Sequence, residues 1–204
     1  MTETLKGIAG SMYAGKTELL LKEIGRAEYS GKKVQVFKPS IDNRWDEKNK
    51  VKSHSKGEHE ACAVKTSLDI LENLDLDTKV VAIDEIQFFD EDIVDVVIAL
   101  LEADIRVVYA GLSLNFKGEP FGSMPTLLAL SDEIEKPTAI CTEEVNGEIC
   151  GKNATKTQRL INGKPAKYSD PIVVIGDAKE GYFARCPNHF IVEEKPEQKI
   201  KINR

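Results

Sequence analysis

The chain has 204 residues, with 28 Lys and Arg against 34 Asp and Glu and a net charge of −6. That acid excess argues against a broad phosphate-tracking surface for nucleic acid, and no apolar run approaches the roughly 20 residues a bilayer-spanning helix needs. The opening MTETLKG has no charged-then-apolar leader, so a cytoplasmic setting is expected, in which the four cysteines are reduced, buried or metal-bound rather than disulfide-paired.

The first element is a short apolar strand over residues 5–9 that runs into Gly10, Ser11, Met12, Tyr13, Ala14, Gly15, Lys16 and Thr17. GSMYAGKT fits the phosphate-binding pattern GxxxxGK[ST], which needs a strand entering and a helix leaving so that successive backbone N–H groups converge on a phosphate. Leu20, Ile24 and Ala27 recur at helical spacing behind it, and Gly31 is placed to stop that helix. Lys16 would reach the β and γ phosphates, and Thr17 would offer its hydroxyl to Mg²⁺.

Residues 33–37 alternate as a second strand. Residues 40–60 turn polar and read as a long loop carrying Asp42, Arg44, Trp45 and His54; His59 in the same stretch reads as merely solvated. A short strand over 61–64 contains Cys62, read as a buried hydrophobe. Ser67 is placed to cap a short helix presenting Leu68, Leu71 and Leu74.

The run KVVAI over 79–83 predicts a central parallel strand and ends in Asp84 and Glu85. An acid there, in a chain with a phosphate loop, reads as the carboxylate that holds Mg²⁺ through its water shell. Glu85 beside it is a candidate general base, acting on water in an ATPase or on a substrate hydroxyl in a small-molecule kinase. The pair alone does not separate these two. A helix presenting Ile93, Val96, Val97, Leu100 and Leu101 follows, then another buried strand over 106–110. Strand and helix alternate, so the expected fold is α/β: a P-loop NTPase-type parallel sheet with helices on both faces.

After Pro137 the character changes to short β runs, with hairpin signals at Asn146-Gly147 and Asn162-Gly163. The expected division is 1–137 for the ATP-binding domain, 138–192 for a small zinc-binding β domain and 193–204 for a loose charged tail. Cys141, Cys150, Cys186 and His189 could supply the four ligands of a structural zinc. The C-x8-C spacing is wider than usual and keeps metal-free readings open. Phe88, Phe89, Phe116 and Phe121 fall beside the acids, as core or as a wall for a base or sugar.

Taken together, GSMYAGKT, DEIQFF, AGLSLNFKGEPFG and the segment closing on CPNH resemble the zinc-containing, cytosolic type of thymidine kinase, over nearly the whole chain. The resemblance implies transfer of the γ-phosphoryl group of ATP to the 5′-hydroxyl of thymidine, or deoxyuridine, with Mg²⁺, in a homotetramer inhibited by dTTP. It implies that Lys16 and Thr17 serve the phosphates and the metal, that Asp84 is the metal-side acid, and that Glu85 accepts the hydroxyl proton. Phe88, Leu112, Phe116 and Phe121 match the nucleoside walls, and Asp42 and Arg44 a pair near the phosphate donor. Thr157, Val174 and Tyr182, with Arg159 close by, fall on a lasso-like loop that closes over the base.

Three departures stand out. The family's first zinc pair is usually C-x2-C, His189 replaces a more frequent Cys, and Ser113 stands where many relatives carry Asp. The rival class is a P-loop motor or switch that grips nucleic acid or protein through a zinc ribbon; a third is a non-catalytic nucleotide-binding module. The motor or switch does not explain the aromatic cluster, and the acid excess disfavours nucleic acid; Glu85 argues against the non-catalytic module, which has less need of a positioned base.

Overall fold

The computed structural model describes residues 4–40, 50–52, 57–173 and 180–197; Asp42, Arg44, Trp45, His54 and Val174 lie outside them. The first part of the chain runs β1 (Leu5–Gly10), α1 (Lys16–Tyr29), β2 (Val34–Pro39), β3 (Lys50–Lys52), β4 (Glu58–Glu60), β5 (Cys62–Val64), α2 (Leu68–Glu72), β6 (Val80–Ile83), α3 (Ile93–Glu102), β7 (Arg106–Leu112), α4 (Met124–Leu130) and β8 (Glu133–Glu135). Six of these strands form one sheet in the order β5-β2-β6-β7-β1-β8, every pairing parallel.

Strand alternation sorts side chains onto two faces. Val81, Ile83, Val107 and Tyr109 join Ile93, Val96, Val97 and Leu100 of α3 and Met124 and Leu127 of α4 in one core. Ala82, Val108 and Ala110 join Leu20 and Ile24 of α1 in the other. Each large aliphatic side chain buried in this way contributes about 1.5–3 kcal/mol of transfer free energy. Because β7 lies between β6 and β1, the loops leaving the carboxyl ends of all three gather at one edge, where α/β sheets place their ligands.

Four features depart from the sequence reading. The stretch read as one long loop contains the antiparallel hairpin β3–β4, anchored by buried Val51. His59 in that hairpin is not merely solvated: its Nε2 lies 2.9 Å from Glu28 Oε1 on α1. On α2 the buried residue is Ile70, whereas Leu68 and Leu71 are exposed. Ser67 sits at the N-cap position without capping, and Asp69 Oδ2 instead accepts the Lys65 and Thr66 N–H groups.

From residue 139 the structure consists of short antiparallel pairs. β9 (Ala139–Ile140) pairs with β12 (Asn153–Ala154), β10 (Glu144–Val145) with β11 (Glu148–Ile149), and β13 (Lys156–Ile161) with both β14 (Lys164–Pro165) and β15 (Glu180–Arg185). Asn146-Gly147 and Asn162-Gly163 make the hairpin turns, with φ of 54° and 83° and of 51° and 78°. Two successive left-handed residues suit the two-residue hairpin, which is why Asn-Gly occupies both sites. The first residues of the charged tail are tied down: Glu193 exchanges backbone hydrogen bonds with Ala166 and Tyr168.

Candidate active site

Gly10 ends β1 with no room for a side chain, since a Cβ there would lie 2.7 Å from the Pro137 carbonyl oxygen. Tyr13 (φ 63°) and Gly15 (φ 79°) then turn the loop back on itself, and Gly15 is the N-cap of α1. This leaves the first N–H groups of a 14-residue helix at the sheet edge, where the helix dipole favours an anion. Lys16 is 9% exposed, and its Nζ donates to the Ser11 carbonyl at 2.9 Å across the loop.

Thr17 Oγ1 donates to Asp84 Oδ2 at 3.3 Å, so the residues suited to a hydrated cation meet across 67 positions of sequence. Asp84 is buried at the end of β6, fixed by its own N–H on the Phe37 carbonyl. Its Oδ1 accepts the Glu85 N–H at 3.0 Å. Glu85 adopts φ 50° and ψ 40°, a left-handed conformation costing a non-glycine residue on the order of 1 kcal/mol. That reversal starts a single 3-10 turn, Ile86–Phe88.

Gln87 in that turn is a residue the sequence reading passed over. It is 3% exposed, its Nε2 donates to Glu85 Oε2 at 2.5 Å, and its Oε1 accepts the Leu112 N–H at 2.9 Å. The available signal was an amide among the apolar residues of IQFF, since a buried amide requires partners.

Two of the aromatic residues meet, while Phe89 packs into the core. Phe88 and Phe121 meet edge to face, with centroids 5.4 Å apart at 86°, and Leu112 lies buried at the end of β7. The loop after β7 is shaped by buried Asn115, whose Oδ1 accepts the Lys117 and Glu119 N–H groups. Phe116 is buried and carries the Arg159 guanidinium 5.2 Å over its ring. Arg159 Nη1 also donates to the Pro171 carbonyl at 2.6 Å, joining the aromatic loop to the segment beyond β14. Tyr182 is half-buried on β15, opposite Arg159 in the ladder.

Cys141, Cys150, Cys186 and His189 bring one donor atom each to within 4.8 Å of all the others. His189 Nδ1 lies 3.5 Å from Cys141 Sγ and 3.6 Å from Cys186 Sγ, and Cys150 Sγ lies 4.0 Å from Cys186 Sγ. A tetrahedron with Zn–S near 2.3 Å and Zn–N near 2.0 Å has edges of about 3.5–3.8 Å, so this cluster could hold zinc. The wide C-x8-C spacing proves harmless. Its extra residues are the β10–β11 hairpin, closed by Cys150 N–H on the Glu143 carbonyl at 2.8 Å. Burial alone would raise the Cys141 thiol, but the Cys186 and Glu143 backbone, with the His189 and Cys186 side chains, bring it down to about 6.

The cluster is also a wall of the phosphate loop. Ala14 packs with Ala139, Cys141, Ala154, Ala184 and Cys186. Ser11 Oγ donates to the Ala154 carbonyl at 3.1 Å, and Met12 N–H donates to Thr157 Oγ1 at 3.1 Å. Thr157, implied by the resemblance to touch the base, is itself 3% exposed.

A parallel α/β sheet, a Gly-rich loop opening a helix beside a strand-end acid pair, and an appended Cys/His knuckle define a P-loop-like protein. A family profile described as thymidine kinase matches residues 3–190, and the chain belongs to the thymidine kinase family. It is therefore a kinase, a phosphoryl-transferring enzyme whose substrates are thymidine and a nucleotide donor. Among the described residues, no helix is long and apolar enough to cross a membrane.

Proposed function

We propose that this chain transfers the γ-phosphoryl group of ATP to the 5′-hydroxyl of thymidine, giving dTMP for nucleotide salvage in the cytoplasm. The observation that carries this reading is the meeting of Thr17 with Asp84 at 3.3 Å, with Glu85 next in sequence and the edge-to-face pair of Phe88 and Phe121 starting in the turn that follows. A motor ATPase needs the first two features and has no use for the third.

In this reading the backbone of residues 10–15 cradles the donor phosphates, and Lys16 leaves the Ser11 carbonyl to bridge the transferred group. Asp42 and Arg44 assist at the donor. Thr17 and Asp84 would hold a hydrated Mg²⁺, which supplies charge neutralisation of the phosphates. Glu85 takes the 5′-hydroxyl proton as the oxygen attacks, and the proton resides on its carboxyl group until product leaves. Phe88, Leu112, Phe116 and Phe121 pack the nucleoside and exclude water, so that the hydroxyl rather than solvent meets the phosphorus.

Thr157, Val174 and Tyr182 complete the nucleoside side, Tyr182 through its phenol toward the sugar. Zinc at Cys141, Cys150, Cys186 and His189 would be structural, because four protein ligands leave no open position. Deoxyuridine is a second acceptor, dTTP a feedback inhibitor, and the working form a homotetramer. Chromatographic detection of dTMP from thymidine and ATP tests the reading directly. Recovery of free phosphate and unchanged thymidine would contradict it.

A further inference from the structure

The amide of Gln87 has a fixed orientation. Leu112 N–H can only donate, so the atom it meets at 2.9 Å must be Oε1, and Nε2 must therefore face the Glu85 carboxylate. An ionised carboxylate only accepts, so both ends agree. The side chain that satisfies both must accept at one tip atom, donate at the other, and be long enough to span them. Among the ordinary residues Gln answers that description, because Asn is one methylene shorter and Glu or Met has no amide donor.

The slot is built around this side chain. A Cβ at Gly111 would lie 2.7 Å from Gln87 Oε1, and one at Gly122 would lie 2.7 Å from the Gln87 carbonyl oxygen. Ile86 beside it is fully buried, which holds the turn against the core. One buried amide thus links the Glu85 carboxylate, the proposed base, to the backbone of Leu112, a proposed wall of the nucleoside site.

We propose that Gln87 is a positioning residue for phosphoryl transfer, holding the Glu85 carboxylate in register with the nucleoside wall at Leu112; this rests on the kinase reading above. Fixing one carboxylate oxygen sets the plane of the group, and thereby the direction in which it meets the hydroxyl. Misplacing a reacting group by about 1 Å costs roughly a hundredfold in rate.

A double-mutant cycle distinguishes action through Glu85 from a simple packing role. Gln87→Met is expected to lower kcat by about tenfold to a hundredfold while KM for ATP moves less than about twofold. In a Glu85→Ala background, where there is no carboxylate to hold, the same substitution should change kcat by less than about twofold. Gln87→Leu, likewise uncharged and of similar size, is the second variant if Gln87→Met does not fold, and should show the same non-additivity. Full, independent cost of the Gln87 substitution in the Glu85→Ala background would overturn the proposal. So would a Glu85→Ala enzyme with undiminished turnover, since there would be no base to position. Thymidine-independent ATP consumption by the wild-type chain would instead remove the kinase reading beneath it.

Discussion

Met12 N–H donates to Thr157 Oγ1 at 3.1 Å, a hydrogen bond between the phosphate loop and strand β13, which lies in sequence between Cys150 and Cys186 of the Cys/His knuckle, with the two partners 145 residues apart. With Ala14 packed against Cys141 and Cys186, the knuckle buttresses the loop that would hold the donor. Removing zinc is therefore expected to weaken ATP binding as well as thymidine binding. Structural zinc can supply on the order of 10 kcal/mol of folding free energy. Elemental analysis should give one zinc per chain through Cys141, Cys150, Cys186 and His189; Cys62→Ser should leave that content unchanged and Cys186→Ser should abolish it.

Glu85→Gln is nearly isosteric and cannot take a proton. It should keep nucleotide and thymidine affinity within a few-fold and lose about 10² to 10⁴ in kcat. Lys16→Ala should raise KM for ATP and lower kcat together, because in the proposed role that cation would serve ground state and transition state alike. Steady-state kinetics with both substrates varied separates the two patterns.

Much of this site was legible in the sequence because its parts are local. GSMYAGKT fixes a loop within eight residues, and the helix face Ile93, Val96, Val97, Leu100 and Leu101 is buried as its period predicts. What escaped depends on contacts distant in sequence or on elements too short to show a period. Strands β3 and β4 have three residues each, and α2 has five, so Ile70 rather than Leu68 or Leu71 was found inside only in three dimensions. The sheet's sixth strand, β8, is a largely exposed Glu-Ile-Glu that pairs with β1, with Lys6 of β1 forming ion pairs to Glu133 and Glu135. Gln87 escaped because one of its partners is a backbone N–H, which leaves no mark in sequence.

The β3–β4 hairpin carries a pH dependence through His59. Burial by itself would lower the pKa of this imidazole, but the Glu28 carboxylate and the Glu60 carbonyl outweigh burial and raise it. A histidine raised on folding contributes stability that is fully present below its unfolded value, near 6.5, and that is lost as pH rises through the higher folded value. The melting-temperature difference between wild type and His59→Gln should thus be largest near pH 5.5 and shrink toward pH 8.5. A difference that grows with pH would contradict the Glu28 pairing.

If the loop closing over the base reads its edge through main-chain groups, acceptor choice follows from that edge. Thymine presents acceptor, donor, acceptor along O2, N3–H and O4, whereas cytosine presents acceptor, acceptor, donor, so two contacts would be mismatched. Each buried group left without a partner costs about 1–3 kcal/mol, which places deoxycytidine about thirtyfold to ten-thousandfold behind thymidine in kcat/KM. Deoxyuridine keeps the edge and loses one methyl, a penalty near 1 kcal/mol. Competing-substrate assays at fixed ATP should give the order thymidine, deoxyuridine, deoxycytidine.

The central claim is that Glu85 activates a nucleoside hydroxyl rather than water. ATP consumption by the zinc-replete protein, measured with and without thymidine, tests it most directly. The account predicts that ADP release is near background with ATP and Mg²⁺ alone, rises on adding thymidine, and matches dTMP formed one for one. ADP release at the same rate with and without thymidine would contradict it.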